Sequence, residues 1–487
     1  MNAPHASTSA GTASHMRRPL WQYSACELRS AFLGGSATPE QATRSCLARI
    51  EEVQADLNAF AALRAPQALE EAKASTLRYQ RAETLSELDG VPISIKDNLL
   101  TRDMPTTWGS RGLAHYFSEH DELAVQRVRR AGAIIVGKTN VPEFTLEGYT
   151  HNPLFGATRN PWNTELTPGG SSGGAAASVA AGCTPIALGT DGGGSTRRPA
   201  AHCGLVGLKP TIGTVARQHA LPTLLLDFEV VGLLARTTED VQALLGVVGG
   251  PDASDWASLA AHGARLENAR TPHQGLRILY VPTLDDAPVD SAIALACEKG
   301  IEELAKDRDA LLCKGKLPLN LQAINAAWPQ IGQIGLAALF ARHPDWEASA
   351  SEKYQAMAAQ GREIPAERLW QVLDLIAELR RLCAGLFEHW DVIAMPCTAA
   401  QPWPAQQAYP PFINGQPVGP RGHAVFTGWV NAAGLPAISV PVQPDINGLP
   451  IGLQLIARHG AETMLLELSR LLQARQLFDQ RRPVLRK

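Results

Sequence analysis

Hydrophobic positions along this chain recur with two different periods, and the switches between them outline its elements. Thr38-Pro39-Glu40-Gln41 opens a stretch in which Ala42, Cys46, Ile50 and Val53 share one face, the spacing of an amphipathic helix. Thr38 suits the N-cap, Pro39 the first helical position, and Gln41 completes a capping box. Gly90-Val91-Pro92-Ile93-Ser94-Ile95-Lys96 alternates after a turn and predicts a strand. A helix over 121–131 closes on Gly132 and feeds the apolar strand Ala133-Ile134-Ile135-Val136. An Ala-rich segment ending at Ala181 leads into a strand at Pro185-Ile186-Ala187-Leu188.

Such helix–strand alternation predicts an α/β protein with a mostly parallel sheet. The character changes over about 290–395, which reads as helices. Leu369, Val372, Leu373, Ile376, Leu379, Cys383, Leu386 and Phe387 form the clearest stripe. Strand signals return at 391–395, 437–440 and 451–456, before a final helix from about Glu462. No internal repeat or linker divides the chain. The expectation is therefore one large α/β domain over 19–487 with a helical insertion at 290–395. Residues 1–18 carry no apolar run and are expected to be disordered.

Composition narrows the setting. The 487 residues are 45% hydrophobic and 19% charged, with a net charge of −3, so no basic field invites nucleic acid or an anionic membrane. Eight scattered cysteines show neither C-x-x-C nor zinc-ligand spacing and are expected to be free buried thiols. Arg17-Arg18 is followed by no hydrophobic run, so an export signal is not expected. No stretch approaches the ~20 apolar residues of a membrane span. The expected location is the cytoplasm.

Three motif matches compete for the chemistry. Gly132-Ala-Ile-Ile-Val-Gly137-Lys138-Thr139 fits the phosphate-loop pattern, but its middle is a β-branched strand that cannot curl round a phosphate. Gly192-Gly193-Gly194 lacks the last glycine of a dinucleotide fingerprint, because Arg197 stands there. Gly169-x-Ser171-x-Gly173 fits a nucleophile elbow, yet Leu166-Thr167-Pro168 is a poor strand end. His202, His389, His423 and His459 also sit in no catalytic motif.

A different constellation appears when this block is taken with Gly189-Thr190-Asp191-Gly192-Gly193-Gly194-Ser195, 24 residues further on. Two Ser-bearing glycine turns joined by a small-residue helix and a strand can return to the same edge of a sheet. Glycines before a serine let successive N–H groups converge on an oxyanion. Such a serine needs a base, and Lys96 ends an apolar strand where burial would lower its pKa.

Together these pieces resemble the amidase-signature family, from about Leu20 to the C-terminus. The most specific stretch runs from Thr167-Pro168-Gly169-Gly170-Ser171-Ser172-Gly173-Gly174 to Gly207-Leu208-Lys209-Pro210-Thr211. Gly90 through Asn98, Gly137-Lys138-Thr139-Asn140 and Gly434-Leu435-Pro436 through Pro441 support it. The resemblance implies a mixed sheet with helices on both faces and a Ser–Ser–Lys site at its edge. It implies that Ser195 is the nucleophile and Lys96 the base. Ser171, following a cis peptide bond, would shuttle the proton, and Ser172 would help hold the lysine. The N–H groups of Gly192, Gly193, Gly194 and Ser195 would form the oxyanion hole. No cofactor or metal is required. The partner would be a small-molecule amide, and a homodimer is one state open to the chain.

Departures from the family pattern bear on specificity. Gly192 stands where many members carry Thr or Ile. Arg198 and His202 replace apolar or aromatic residues; for Arg198 a pocket wall, a subunit interface and plain solvation all stay open. A glutamine amidotransferase of this family would carry an acidic clamp for an α-amino group where this chain has Ala424. A non-catalytic protein on the same fold would have lost Lys96, Ser171 or Ser195. The insertion and the loop 401–426 are expected to wall the pockets, with Trp328, Trp370, Trp403, Phe412 and Trp429 as candidate aromatics. The expected substrate is an uncharged aryl amide, anilide or aryl urea rather than glutamine.

Overall fold

The computed structural model describes residues 18–267, 275–474 and 483. All but the last residue of the segment expected to be disordered lies outside this description. Among the described residues eleven strands form one mixed sheet. Their spatial order is Phe60–Leu63, Ile134–Thr139, Pro92–Lys96, Ile186–Asp191, Val230–Ala235, Val206–Lys209, Ala437–Val442, Ile451–Ile456, Val392–Pro396, Arg277–Tyr280 and Leu311–Lys314. Neighbours are parallel in the 134–92–186 and 392–277–311 groups and antiparallel elsewhere.

Side-chain alternation shows why helices cover both faces. Ile134 and Val136 pack with Ile50, Val53 and Leu57 of helix Pro39–Leu57, whereas Ile135 packs with Val125 and Val128 of helix Leu123–Arg130. Ile278 and Tyr280 likewise join Ile293 and Cys297, while Leu279 joins Val372 and Ile376 from the other side. A strand covered on both faces reads as a continuous apolar run.

The predicted helix start is present in full: Thr38 and Gln41 make the reciprocal capping-box bonds, with Pro39 first in the helix. The segment 290–395 needs a correction. Besides helices Ser291–Asp307, Gln322–Arg342, Pro344–Ser349, Glu352–Arg362 and Ala366–His389, it contributes the edge strand Leu311–Lys314. That strand is four residues long and only half buried, so it carries no period-2 signature. Leu373, placed on the buried stripe, is exposed; Val372, Ile376, Leu379, Cys383 and Leu386 carry the packing. Leu336, Leu339 and Phe340 of the insertion pack on Trp108, Phe144 and Leu224, which brings it over the sheet edge where Lys96 ends. All eight cysteines are free, though Cys26 and Cys313 are only partly buried.

Candidate active site

Strands Pro92–Lys96 and Ile186–Asp191 are parallel neighbours, with Ile95 beside Leu188. Their carboxyl ends leave the sheet on the same edge, where ligands of α/β sheets commonly bind. Lys96 is the last residue of one strand, and the glycine run 192–194 follows the other. Helix Gly173–Ala180 connects back to that second strand. The two serine turns consequently meet: Ser172 N donates to Ser195 O at 3.1 Å. No strand precedes Ser171, so the elbow geometry is absent.

Lys96 is wholly buried, not a surface lysine. Its Nζ lies 2.9 Å from Ser171 Oγ and donates to Thr190 Oγ1 at 2.8 Å and Thr190 O at 3.2 Å. Burial is the main cause that pushes its pKa down to about 7, with Glu229 and Asp191 pulling the other way. The Gly170–Ser171 peptide is cis. Ser172 Oγ donates to the same Thr190 carbonyl at 3.0 Å, so its link to Lys96 is a shared acceptor. Ser195 is 7% exposed.

The oxyanion-hole expectation requires one correction. Gly194 N–H donates to Asp191 Oδ1 at 2.7 Å and is therefore committed. Asp191 also accepts from the N–H groups of Thr196 and Arg197 and pairs bidentately with the Arg197 guanidinium at 2.9 and 3.0 Å. Burial alone would raise the Asp191 pKa, but the Arg197 charge and hydrogen bonds hold it far below the usual carboxylate range. Among the described residues the N–H groups of Gly192, Gly193 and Ser195 make no hydrogen bond. Gly194 instead supplies backbone freedom: its φ is +110°, and a Cβ there would lie 2.2 Å from Thr427 Oγ1.

Arg198 is buried, which removes the solvated reading. Its guanidinium donates to Gly193 O at 2.6 Å and Gly170 O at 3.3 Å, tying the two glycine turns together. His202 bonds Ala400 O and stands edge-on to Trp403; burial pushes its pKa down to about 4. Of the candidate aromatics, Trp328 touches the site: a Cβ on Gly193 would meet its ring at 3.0 Å. Trp403 backs His202, Trp429 is fully buried in the core, and Trp370 and Phe412 are exposed on the surface. Ala424 is buried in the short turn Gly422–Ala424.

Sequence reasoning gave no role to Thr190, Asp191 or Asn98. Asn98 Nδ2 donates to Thr190 Oγ1, the atom that also holds Lys96. The available signal was position: Thr190-Asp191 directly precedes the glycine run, and Asn98 follows Lys96 by two. Lys138 of the phosphate-loop match is fully buried, lies 3.3 Å from Asp97, and donates to Leu99 O and Thr106 Oγ1. Its ammonium is used up within the fold.

Comparison with known proteins shows the family. The profile of the Amidase family matches residues 41–466. The glutamyl-tRNA(Gln) amidotransferase A-subunit of Symbiobacterium thermophilum is 33% identical over 95% of this chain and 98% of its own length. The mitochondrial A-subunit of Drosophila pseudoobscura pseudoobscura is 32% identical over 95% and 98%. Among solved structures, a bacterial aryl acylamidase of the amidase signature family superposes with a TM-score of 0.85 at 26% identity, covering 96% of this chain and all of its own. The peptide amidase of Stenotrophomonas maltophilia gives 0.79 at 26% identity, covering 95% and 99%. With the family profile spanning most of its length, this chain belongs to the amidase family, the amidase-signature enzymes.

Proposed function

We propose that this chain hydrolyses an amide C–N bond through an acyl-enzyme on Ser195. The observation that supports this most strongly is the buried Lys96 amine, which contacts Ser171 and Thr190 and, among the described residues, no carboxylate. A lysine with a pKa near 7 is substantially neutral at physiological pH and can accept a proton. Ser171 passes Lys96 the proton of Ser195 Oγ as that oxygen attacks the carbonyl carbon. The N–H groups of Gly192, Gly193 and Ser195 face the developing oxyanion. The C–N bond then breaks, and the proton returns from Lys96 through Ser171 to the leaving nitrogen. Water attacks the ester by the same relay and releases the acid.

Ser195→Ala is expected to abolish turnover, and a fluorophosphonate is expected to label Ser195. Labelling of Ser171 or Ser172, with Ser195→Ala still active, would overturn the assignment.

A second reading has its own support. Eight curated relatives, each the A-subunit of a glutamyl-tRNA(Gln) amidotransferase, match this chain nearly end to end at 32–34% identity. They favour glutamine hydrolysis, with ammonia passed to a partner protein, over the expected aryl amide. Ala424 speaks against a clamp for the α-amino group. Ammonia release from glutamine, measured beside amine release from anilides and aryl ureas, decides between them. Glutamine outpacing every aryl substrate overturns the aryl-amide expectation and supports the glutamine reading.

A further inference from the structure

The glycine turn before Ser195 is flanked on one side by unneutralised positive charge. Arg421 lies with its guanidinium carbon 4.7 Å above the Trp328 ring, and Trp328 in turn covers Gly193. A Cβ placed on Gly428 would meet Arg421 Nη2 at 3.1 Å and the Trp328 ring at 3.4 Å, which fixes the arginine against the same wall. Arg198 stands behind that wall, bonded to Gly193 O and Thr427 Oγ1, and its Nε has no acceptor among the described residues. Among the described residues Arg421 has no carboxylate partner; the charge that acts on it is Arg198, and it repels. His202 and His423 are also close by, both kept neutral by burial and by these cations.

The opposite flank differs. Glu229 borders Gly192, but its carboxylate is already paired with Arg217 at 2.9 Å, and Arg217 also pairs with Glu122 at 2.8 Å. One guanidinium faces two carboxylates there, whereas no carboxylate pairs with Arg421 among the described residues on the Gly193 flank. Arg198 is buried within the field of Asp191, whereas Arg421 is exposed, so an anionic ligand there replaces water with a charge-assisted hydrogen bond. A guanidinium stacked on an indole is held in orientation while its N–H edge stays free for a planar carboxylate. Arg421 keeps accessible surface, and Gly193 is partly accessible too.

We propose that Arg421, backed by Arg198, forms a subsite beside Gly193 for a carboxylate carried by the substrate. This inference rests on the acyl-enzyme reading and replaces the uncharged substrate expected from the sequence. It accommodates a dicarboxylic acid monoamide, and equally the α-carboxylate of glutamine. It gives no place for an ammonium group on this flank.

The test uses two alkyl fluorophosphonates of equal length, one ending in a carboxylate and the other in a methyl ketone. Each labelling rate of Ser195 is corrected for the probe's own hydrolysis. The carboxylate probe is expected to label at least about tenfold faster, the scale of one charge-assisted hydrogen bond. That ratio falls as ionic strength rises. In Arg421→Met it falls to about one, and Arg421→Lys recovers part of it. A ratio near one in the unaltered protein, or one that Arg421→Met leaves intact, overturns the subsite while labelling of Ser195 still supports the acyl-enzyme. If neither probe labels Ser195, the acyl-enzyme reading and the subsite fall together.

Discussion

Lys96 Nζ and Ser171 Oγ lie 2.9 Å apart with both residues buried, and this pair sets the expected pH dependence. Desolvation holds the lysine near 7, so its neutral, proton-accepting form grows as pH rises through that value. kcat/KM is expected to climb from about pH 6 to 8 and then level off. Lys96→Arg should be nearly inactive across this range, because a guanidinium does not deprotonate there. A pH–rate profile for both proteins, with folding followed by circular dichroism, checks it. Near-normal turnover by a folded Lys96→Arg protein would show that the base lies elsewhere.

Thr190 is expected to be a positioning residue. Its hydroxyl accepts from Lys96 and Asn98 and lies 3.3 Å from Glu229 Oε2. Thr190→Val removes an acceptor that favours the ammonium form, so the acid limb of the profile should move to lower pH. A misaimed lysine should also lower kcat by about tenfold or more, against the ~10²–10⁴-fold that general base catalysis typically supplies. A fall in activity with an unmoved limb would mean that Thr190 does no more than fill space.

Asp191→Asn should unfold more readily. Breaking a buried ion pair from one side leaves the other charge unpaired, at a cost of about 3–5 kcal/mol. The native pKa of Asp191 is depressed, so its contribution to stability is present above the unfolded value of about 3.9 and is lost as pH falls below it. Denaturant titrations at pH 7 and at about pH 3 should therefore show a larger gap between wild type and variant at pH 7. An equal gap at both would refute the linkage.

Two glycines of one run should respond unequally. In Gly194→Ala the new methyl meets Thr427 Oγ1 at 2.2 Å, at a φ of +110° that alanine resists. In Gly192→Ala it meets the side-chain end of Leu225, Cδ1, at 3.0 Å, a contact that a rotamer shift relieves. Gly194→Ala is expected to lose at least about tenfold more kcat/KM than Gly192→Ala, a difference of about 1.4 kcal/mol. Similar losses would contradict the arrangement described for the turn.

Local chemistry was enough to read much of this protein from its sequence. Thr38, Pro39 and Gln41 specify a helix start among themselves, and Ile93 to Lys96 specify a strand end. The small residues between the two serine turns left a short helix and a strand as the connection, and the structure brings both turns together. Contacts between distant segments decided the rest. Whether Arg198 is solvated depends on Gly170 and Thr427, 28 and 229 residues away. Gly194 N–H is committed to a carboxylate that Arg197 holds in place. Trp328, Trp370 and Trp429 look alike as residues, and only tertiary packing puts the first on the site, the second in solvent and the third in the core. Hydrogen-bonding patterns within a turn of chain are encoded by neighbours, whereas burial and charge balance are sums over everything that folding brings near.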